Sequence, residues 1–506
     1  MSAFDYVILV CYLAGIISFG LALRGKDKSD REFFLAGRSM RWAPIGLSLM
    51  ATSFSAVNYA ALPTEVFSHG IYVVTVLGAF VLVAFPVAFI FIPFYYSQQL
   101  TSVYEYLERR FDVRVRRLAG ALYIFWRVLW MGTILYATGK ILSVFISVDF
   151  RLLIVLTGVS AMVYSAVGGM RSVMWTDVAQ VLVLVGSVVA GILFALSRMA
   201  SGPEPVSETL VSSGILKPVI PFDPLFFSFD PRIRITFWSA ILGGSVAFLA
   251  RYAADQTVVQ RYFTARSLKD ARRGFSLSIV VSIFVLGLFM VFGLLVHLQM
   301  AQEGMANPLA KNPMESLLGF VNAMPRGITG LVAAGLLAAT MSSVDSGMNS
   351  CSAIYISDFY SRFARAKSIV AKWRLNRLLA LVFGALGMFA AFYLDRLGDL
   401  FSIANRIING LGAPLLALIL LGMFSRAVNS AGALAGGILG ICASAYVSFA
   451  VDDLALHYYA LVNLAGTIVL CYICSGFAAL VGKGNSFEQL SWRWRGRLTD
   501  GGTGRF

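Results

Sequence analysis

The chain has 506 residues, of which 58% are hydrophobic and only 13% charged, with a formal net charge of +15 and a mean hydropathy of +0.78. A soluble domain carries about 25% charged residues, so this chain lacks the polar surface to cover itself in water. Apolar runs of roughly 20 residues, the length that spans a bilayer core, recur from end to end and exclude a soluble enzyme.

The runs predict about thirteen helices, taken here in chain order. The first, near 5–23, is no cleaved signal peptide, because its basic residues (Arg24, Lys26, Lys28) follow the apolar run instead of preceding it. The second, near 43–66, is unusual. It carries Thr52, Ser53, Ser55 and Asn58 within seven residues, followed by Pro63. One hydroxyl could be glue between helices, but this crowding predicts a helix that loosens and exposes carbonyls toward a cavity, as transporters do to hold ions. Helices near 71–97, 118–146 and 150–168 follow, and the Gly168-Gly169 pair turns the chain into the next, near 173–199. Asp177 lies in its first turns with Thr176 and Gln180 beside it. That carboxylate is either a partner of the helix dipole or part of an ion path.

The connector 200–232 holds Pro203, Pro205, Pro218, Pro221 and Pro224 and reads as a loop. Helices near 233–259 and 275–299 and a second proline-bearing connector, 300–325, lead to the helix near 326–359. There Ser342, Asp345, Ser346 and Asn349 fall at i, i+3, i+4 and i+7, on one face. Hydroxyl and carboxylate oxygens are hard ligands that suit a hard cation such as sodium. The other reading of this face is a hydrogen-bonded seam in which Asp345 pairs with Arg127 or Arg406. Four helices near 375–395, 398–424, 429–451 and 457–482 complete the chain, before a tail with Trp492, Arg493, Trp494 and Arg495 that could lie on anionic lipid.

Charge fixes the expected orientation. With the N-terminus outside, alternate segments (24–42, 98–117, 169–172, 260–274, 360–377, 425–428 and the tail from 483) hold 29 of the 41 basic residues, which is the bias of cytoplasmic loops. This segregation accounts for the net positive charge without a nucleic-acid partner. The C-terminus is then cytoplasmic, in a plasma or bacterial inner membrane. Five cysteines in apolar runs and three scattered histidines predict neither a disulfide framework nor a haem or zinc centre. No cofactor is expected beyond a coupling ion.

Five segments together resemble the sodium:solute symporter family: Phe33-Phe34-Leu35-Ala36-Gly37-Arg38, Thr101 to Leu107, Gly168 to Gln180, Asp255-Gln256-Thr257-Val258-Val259-Gln260-Arg261, and Ala339 to Ser350. The resemblance covers nearly the whole chain. It implies one transmembrane domain with a LeuT-like core of inverted five-helix repeats at 43–199 and 233–424, an extra N-terminal helix at 5–23, two C-terminal helices at 429–482 and a tail at 483–506. It also implies a sodium site made by the carbonyls of Ala51, Phe54 and Ala339 and the hydroxyls of Ser342 and Ser343. A second ion site would use Asp177, Ser342, Asp345 and Ser346, with Asp345 standing where relatives carry a hydroxyl. The implied solute contacts are Ser53, Ser55, Asn58, Arg127, Trp130 and Arg406. Because guanidinium groups hold carboxylates by paired hydrogen bonds, the expected cargo is a carboxylated solute, such as a sialic acid or another organic acid. The alternatives are a sodium/sugar symporter of the same fold and a transport-inactive membrane sensor.

Overall fold

The computed structural model describes residues 1–23, 30–69, 74–200, 226–233, 235–302, 313–360, 369–394, 400–451, 454–455 and 457–481. The expected contact of the tail with lipid therefore lies outside the described residues. In chain order the helices are α1 (Ala3–Ala22), α2 (Trp42–Ser53), α3 (Ala56–His69), α4 (Val76–Gln98), α5 (Val113–Phe145), α6 (Phe150–Ser165), α7 (Gly168–Met199), α8 (Ser239–Ala254) and α9 (Gln256–Phe263). They continue as α10 (Leu268–Gln302), α11 (Pro313–Asn322), α12 (Ile328–Tyr360), α13 (Ile369–Leu394), α14 (Leu400–Phe424), α15 (Ser430–Ala450) and α16 (Tyr458–Leu480). Among the described residues ten helices are long and apolar enough to cross a membrane. The bent pair α2–α3 adds one more span, and the shorter apolar helices α6 and α8 match the two expected spans that remain.

Two breaks shape the interior. At the first, α2 and α3 meet at 65°, and the polar run explains why. Thr52 Oγ1 and Ser53 Oγ donate back to the Ser48 and Leu49 carbonyls, at 2.9 and 2.7 Å, a bonding pattern that weakens a helix from within. Phe54 turns extended (φ −107°, ψ 122°). Asn58 Oδ1 then accepts from both the Ser55 amide and hydroxyl at 3.2 Å, which is one half of a capping box at the start of α3. The second break was not anticipated. The span expected at 233–259 is interrupted at Asp255 (φ −80°, ψ 113°), whose carboxylate caps α9 by accepting from the Thr257 amide at 2.8 Å. The first span of each expected repeat is therefore broken.

The turn between α6 and α7 falls at Gly169, with φ +64°, where a Cβ would meet the Phe33 carbonyl at 3.1 Å. Central to the bundle is α12, the most buried span, with 89% of its most apolar stretch enclosed. It packs against α5, α6, α7 and α2. By contrast α1 and α16 bury only a small share of their residues and expose Phe4, Val10, Phe477 and Leu480, as lipid-facing helices do.

Hydrogen bonds sort the helix ends into two sets. Met40 exchanges backbone bonds with Thr264 and Arg266. Asp270 accepts from the Trp42 amide, Arg171 reaches Ser39, Arg116 pairs with Asp358, and Arg110 donates to the Ser425 carbonyl. In the other set the N-terminal ammonium donates to the Phe145 carbonyl, Asp5 accepts from the Gly327 and Gly330 amides, and the Ala455 amide meets the Pro231 carbonyl. This is the grouping that alternate crossings require.

Candidate functional site

The first cluster forms where α12 crosses the break after α2. Carbonyls at a helix C-terminus have no partner within the helix and carry its negative pole. Ser342 Oγ lies 3.3 Å from the Ala51 carbonyl and 3.1 Å from that of Ala339, and Ser343 Oγ lies 3.4 Å from the Phe54 carbonyl. All five residues are buried. The structure thus buries, at one helix crossing, the three carbonyls and two hydroxyls that the family resemblance implied, Ser342 meeting Ala51 and Ala339 while Ser343 meets Phe54. Five neutral hard oxygens are chemically suited to a monovalent cation.

A second cluster lies deeper, among α2, α7, α9 and α12. Asp177 Oδ2 accepts from Ser48 Oγ at 2.5 Å and from Arg261 Nη2 at 2.8 Å. The same guanidinium donates to Ser346 Oγ at 2.7 Å and, through Nε, to Ser48 Oγ at 2.7 Å. Ser346 in turn donates to Asp345 Oδ1 at 3.2 Å, and Tyr164 donates to Asp345 Oδ2 at 2.7 Å. Two carboxylates therefore share one guanidinium, and only Asp177 touches it. The alternative that pairs Asp345 with Arg127 or Arg406 is not what forms: Asp345 makes no ion pair among the described residues, and the cation beside it is Arg261, one hydroxyl away. Arg261, counted from sequence among the loop cations, is 1% exposed: it stands in the last turn of α9, aims back into the bundle, and its Nη1 donates to the Thr257 carbonyl at 2.6 Å. Asp177 Oδ1 and Gln180 Oε1 have no hydrogen-bond partner, leaving acceptors unspent in a buried setting.

Between the two breaks lies a cavity of about 200 Å³. Ser53, Asn58, Arg127 and Trp130 line it, as the sequence suggested; Ser55 and Arg406 do not. Ser55 is occupied in capping α3, and α14 presents Ala404 and Ile408 in place of Arg406. The remaining wall is largely apolar, with Phe54, Val57, Phe80, Trp126, Phe248 and Leu286 prominent. Its charges are Arg127, Arg251 and Asp255. Arg127 and Asp255 form a buried ion pair through Nη2 and Oδ2. Arg251 has no carboxylate partner among the described residues. It donates to the Thr52 carbonyl at 2.7 Å and to Ser53 Oγ at 3.2 Å. Trp126 Nε1 and Arg127 Nε also lack hydrogen-bond partners. The cavity thus carries one net positive charge and residues with unused donors.

Arg251 falls inside the span expected at 233–259, and Arg261 ends the Asp255-to-Arg261 segment. What the sequence did not show was the break at Asp255, which re-aims the residues on either side of it.

The sodium:solute symporter family pattern matches residues 33–440. The chain is 29% identical over 476 residues to the sodium/sialic acid symporter NanT of Aliivibrio fischeri, covering 93% of this chain and 92% of that protein. It is 30% identical over 464 residues to the sodium/iodide cotransporter of Homo sapiens, covering 88% and 70%. The solved structure of a Na+-coupled sialic acid symporter, in a substrate-bound outward-open state, superposes with a TM-score of 0.83 at 25% identity, covering 94% of this chain and 98% of that one. Mhp1, a nucleobase-cation-symport-1 family transporter, shares the fold with a TM-score of 0.54 at 14% identity over 93% and 99% of the two chains. With the broken helices, the buried oxygen clusters and this match over most of its length, the chain belongs to the sodium:solute symporter family: it is a sodium-coupled carrier with a LeuT-like helical fold, not an enzyme.

Proposed function

We propose that this protein imports a small organic anion carrying one carboxylate, driven by sodium. The observation that carries this reading is the unneutralised guanidinium of Arg251 in a cavity whose other charges, Arg127 and Asp255, cancel. A carboxylate there gains a charge-assisted, two-pronged hydrogen bond, whereas a neutral sugar leaves a buried charge without a counter-ion. The sialic acid symporters among the relatives carry a solute of this charge class, and the apolar wall favours a compact anion with an apolar body over one covered in hydroxyls.

Sodium would sit among the Ala51, Phe54 and Ala339 carbonyls and the Ser342 and Ser343 hydroxyls; Ser342 already reaches the first and third carbonyls, and Ser343 the second. The surplus negative charge of Asp177 and Asp345 over Arg261 supports a second cation there, held with Ser342 and Ser346. The N-terminus would face outward and the C-terminus the cytoplasm, following the positive loops. Repeats 43–199 and 233–424 would rock about the two breaks to expose the cavity alternately.

Uptake into proteoliposomes tests the reading, with sialic acid, aliphatic and aromatic monocarboxylates, neutral sugars and amino acids offered under an inward sodium gradient. Carboxylates should accumulate and neutral sugars should not; accumulation of neutral sugars alone overturns the anion reading. The membrane potential then counts the ions. A monoanion entering with one sodium moves no net charge, so a potential should have no effect on accumulation. With two sodium ions one net charge enters, and each 100 mV inside-negative adds about 2.3 kcal/mol to the driving force.

A further inference from the structure

Arg251 stands between the cavity and the first oxygen cluster. Its side chain lines the cavity, yet Nη2 donates to the Thr52 carbonyl at 2.7 Å and Nε to Ser53 Oγ at 3.2 Å. Thr52 directly follows Ala51, and Phe54 directly follows Ser53; the Ala51 and Phe54 carbonyls are the ones that meet Ser342 and Ser343. The guanidinium is therefore bonded to the very turn that supplies two of the five cluster oxygens. Arg127 faces the same cavity but is neutralised by Asp255, so Arg251 alone brings uncompensated charge to that turn from the described cavity wall.

From this we infer that Arg251 couples solute to sodium by charge. With the cavity empty, its unpaired positive charge opposes a cation at the neighbouring carbonyls. The opposition is strong because the intervening medium is protein rather than water. A carboxylate seated on the guanidinium cancels that charge and frees the Thr52 carbonyl dipole, so sodium binds more tightly. Linkage makes the effect mutual: bound sodium tightens the anion by the same factor. The inference rests on the reading of the solute as an anion, but its main consequence appears with no solute at all.

The test is a sodium titration of the purified full-length protein in lipid nanodiscs, with sodium as the only ligand, read by the shift in thermal stability that binding produces. Choline replaces sodium to hold ionic strength constant. Arg251→Gln should bind sodium about tenfold more tightly than the unaltered protein, within the usual range of coupling between sites. Arg251→Lys, which keeps the charge, should stay near the unaltered value. Arg251→Met serves as a second neutral variant should the glutamine variant not fold. In a second arm, the carboxylate taken up most strongly in the proteoliposome panel should tighten sodium binding to the unaltered protein and leave the neutral variants unchanged. Sodium affinity that is equal or weaker in the neutral variants overturns the coupling, even if carboxylates prove to be the cargo. Uptake of neutral sugars alone overturns the anion reading but leaves the solute-free titration to stand on its own.

Discussion

Asp177 and Asp345 are both fully buried, 0% exposed, yet the structure assigns them different work, and two substitutions should separate them. Asp177 holds Arg261 directly at 2.8 Å and also accepts from Ser48 at 2.5 Å. Removing one partner of a buried pair strands the other, at a cost of about 3–5 kcal/mol. For Asp177→Asn the lower end is expected, because Asp345 stays one hydroxyl away from the guanidinium. Asp345 has only neutral donors, Tyr164 at 2.7 Å and Ser346 at 3.2 Å. Asp345→Ser gives up two hydrogen bonds to a charged acceptor, worth about 1.5–3 kcal/mol each, but also relieves a buried charge without a direct counter-ion. The two terms oppose each other, so the net change should stay within about 1–2 kcal/mol. Thermal unfolding in sodium-free detergent should therefore show a large loss for Asp177→Asn and a small one for Asp345→Ser. Sodium titrations of Asp345→Ser should show weaker binding in an intact fold. If Asp345→Ser is destabilised as much as Asp177→Asn, Asp345 is as much a counter-charge of Arg261 as Asp177 is, and the division of roles is wrong.

Two further outcomes follow from the same geometry. Ser343→Ala removes one hydroxyl from beside the Phe54 carbonyl and almost no volume; the fold should persist while sodium-dependent uptake shifts to about tenfold higher sodium, equivalent to about 1.4 kcal/mol, and an unshifted curve would assign Ser343 to packing. Asp255→Asn strands the buried Arg127 and should cost about 3–5 kcal/mol in unfolding measurements, and adding Arg127→Gln should recover most of it; no recovery would mean that the loss does not come from a stranded Arg127.

Much of this architecture was legible because membranes permit few solutions. Long apolar runs must be helices when no water satisfies their backbones, so the expected spans, including the short α6 and the much-interrupted α8, needed only composition. The break after α2 was also legible, since Thr52, Ser53, Ser55 and Asn58 each make a local hydrogen bond that reaches four residues or fewer along the chain. The break at Asp255 was not. It rests on one capping carboxylate, and an aspartate inside an apolar run reads from sequence as a charge in need of an ion pair. It is both: one oxygen caps α9 and the other meets Arg127.

The arginines show where such reading stops. Arg127, Arg251, Arg261 and Arg406 are alike as letters, and a sequence offers no way to apportion four guanidiniums among Asp177, Asp255 and Asp345. Their assignment depends on contacts between residues far apart in the chain, Arg127 with Asp255 and Arg261 with Asp177, which only the packing of α5, α7, α8 and α9 decides. Once those two pairs are made, the arginine that lines the cavity without a carboxylate partner is not Arg127 or Arg406, the two that the sequence put forward for the solute, but Arg251. The chemistry expected from sequence, a guanidinium waiting for a carboxylate, survives while the residue that performs it changes. It survives because the cavity's net charge follows from which residues line it, and a cavity wall with two arginines and one aspartate is positive however the pairs are drawn.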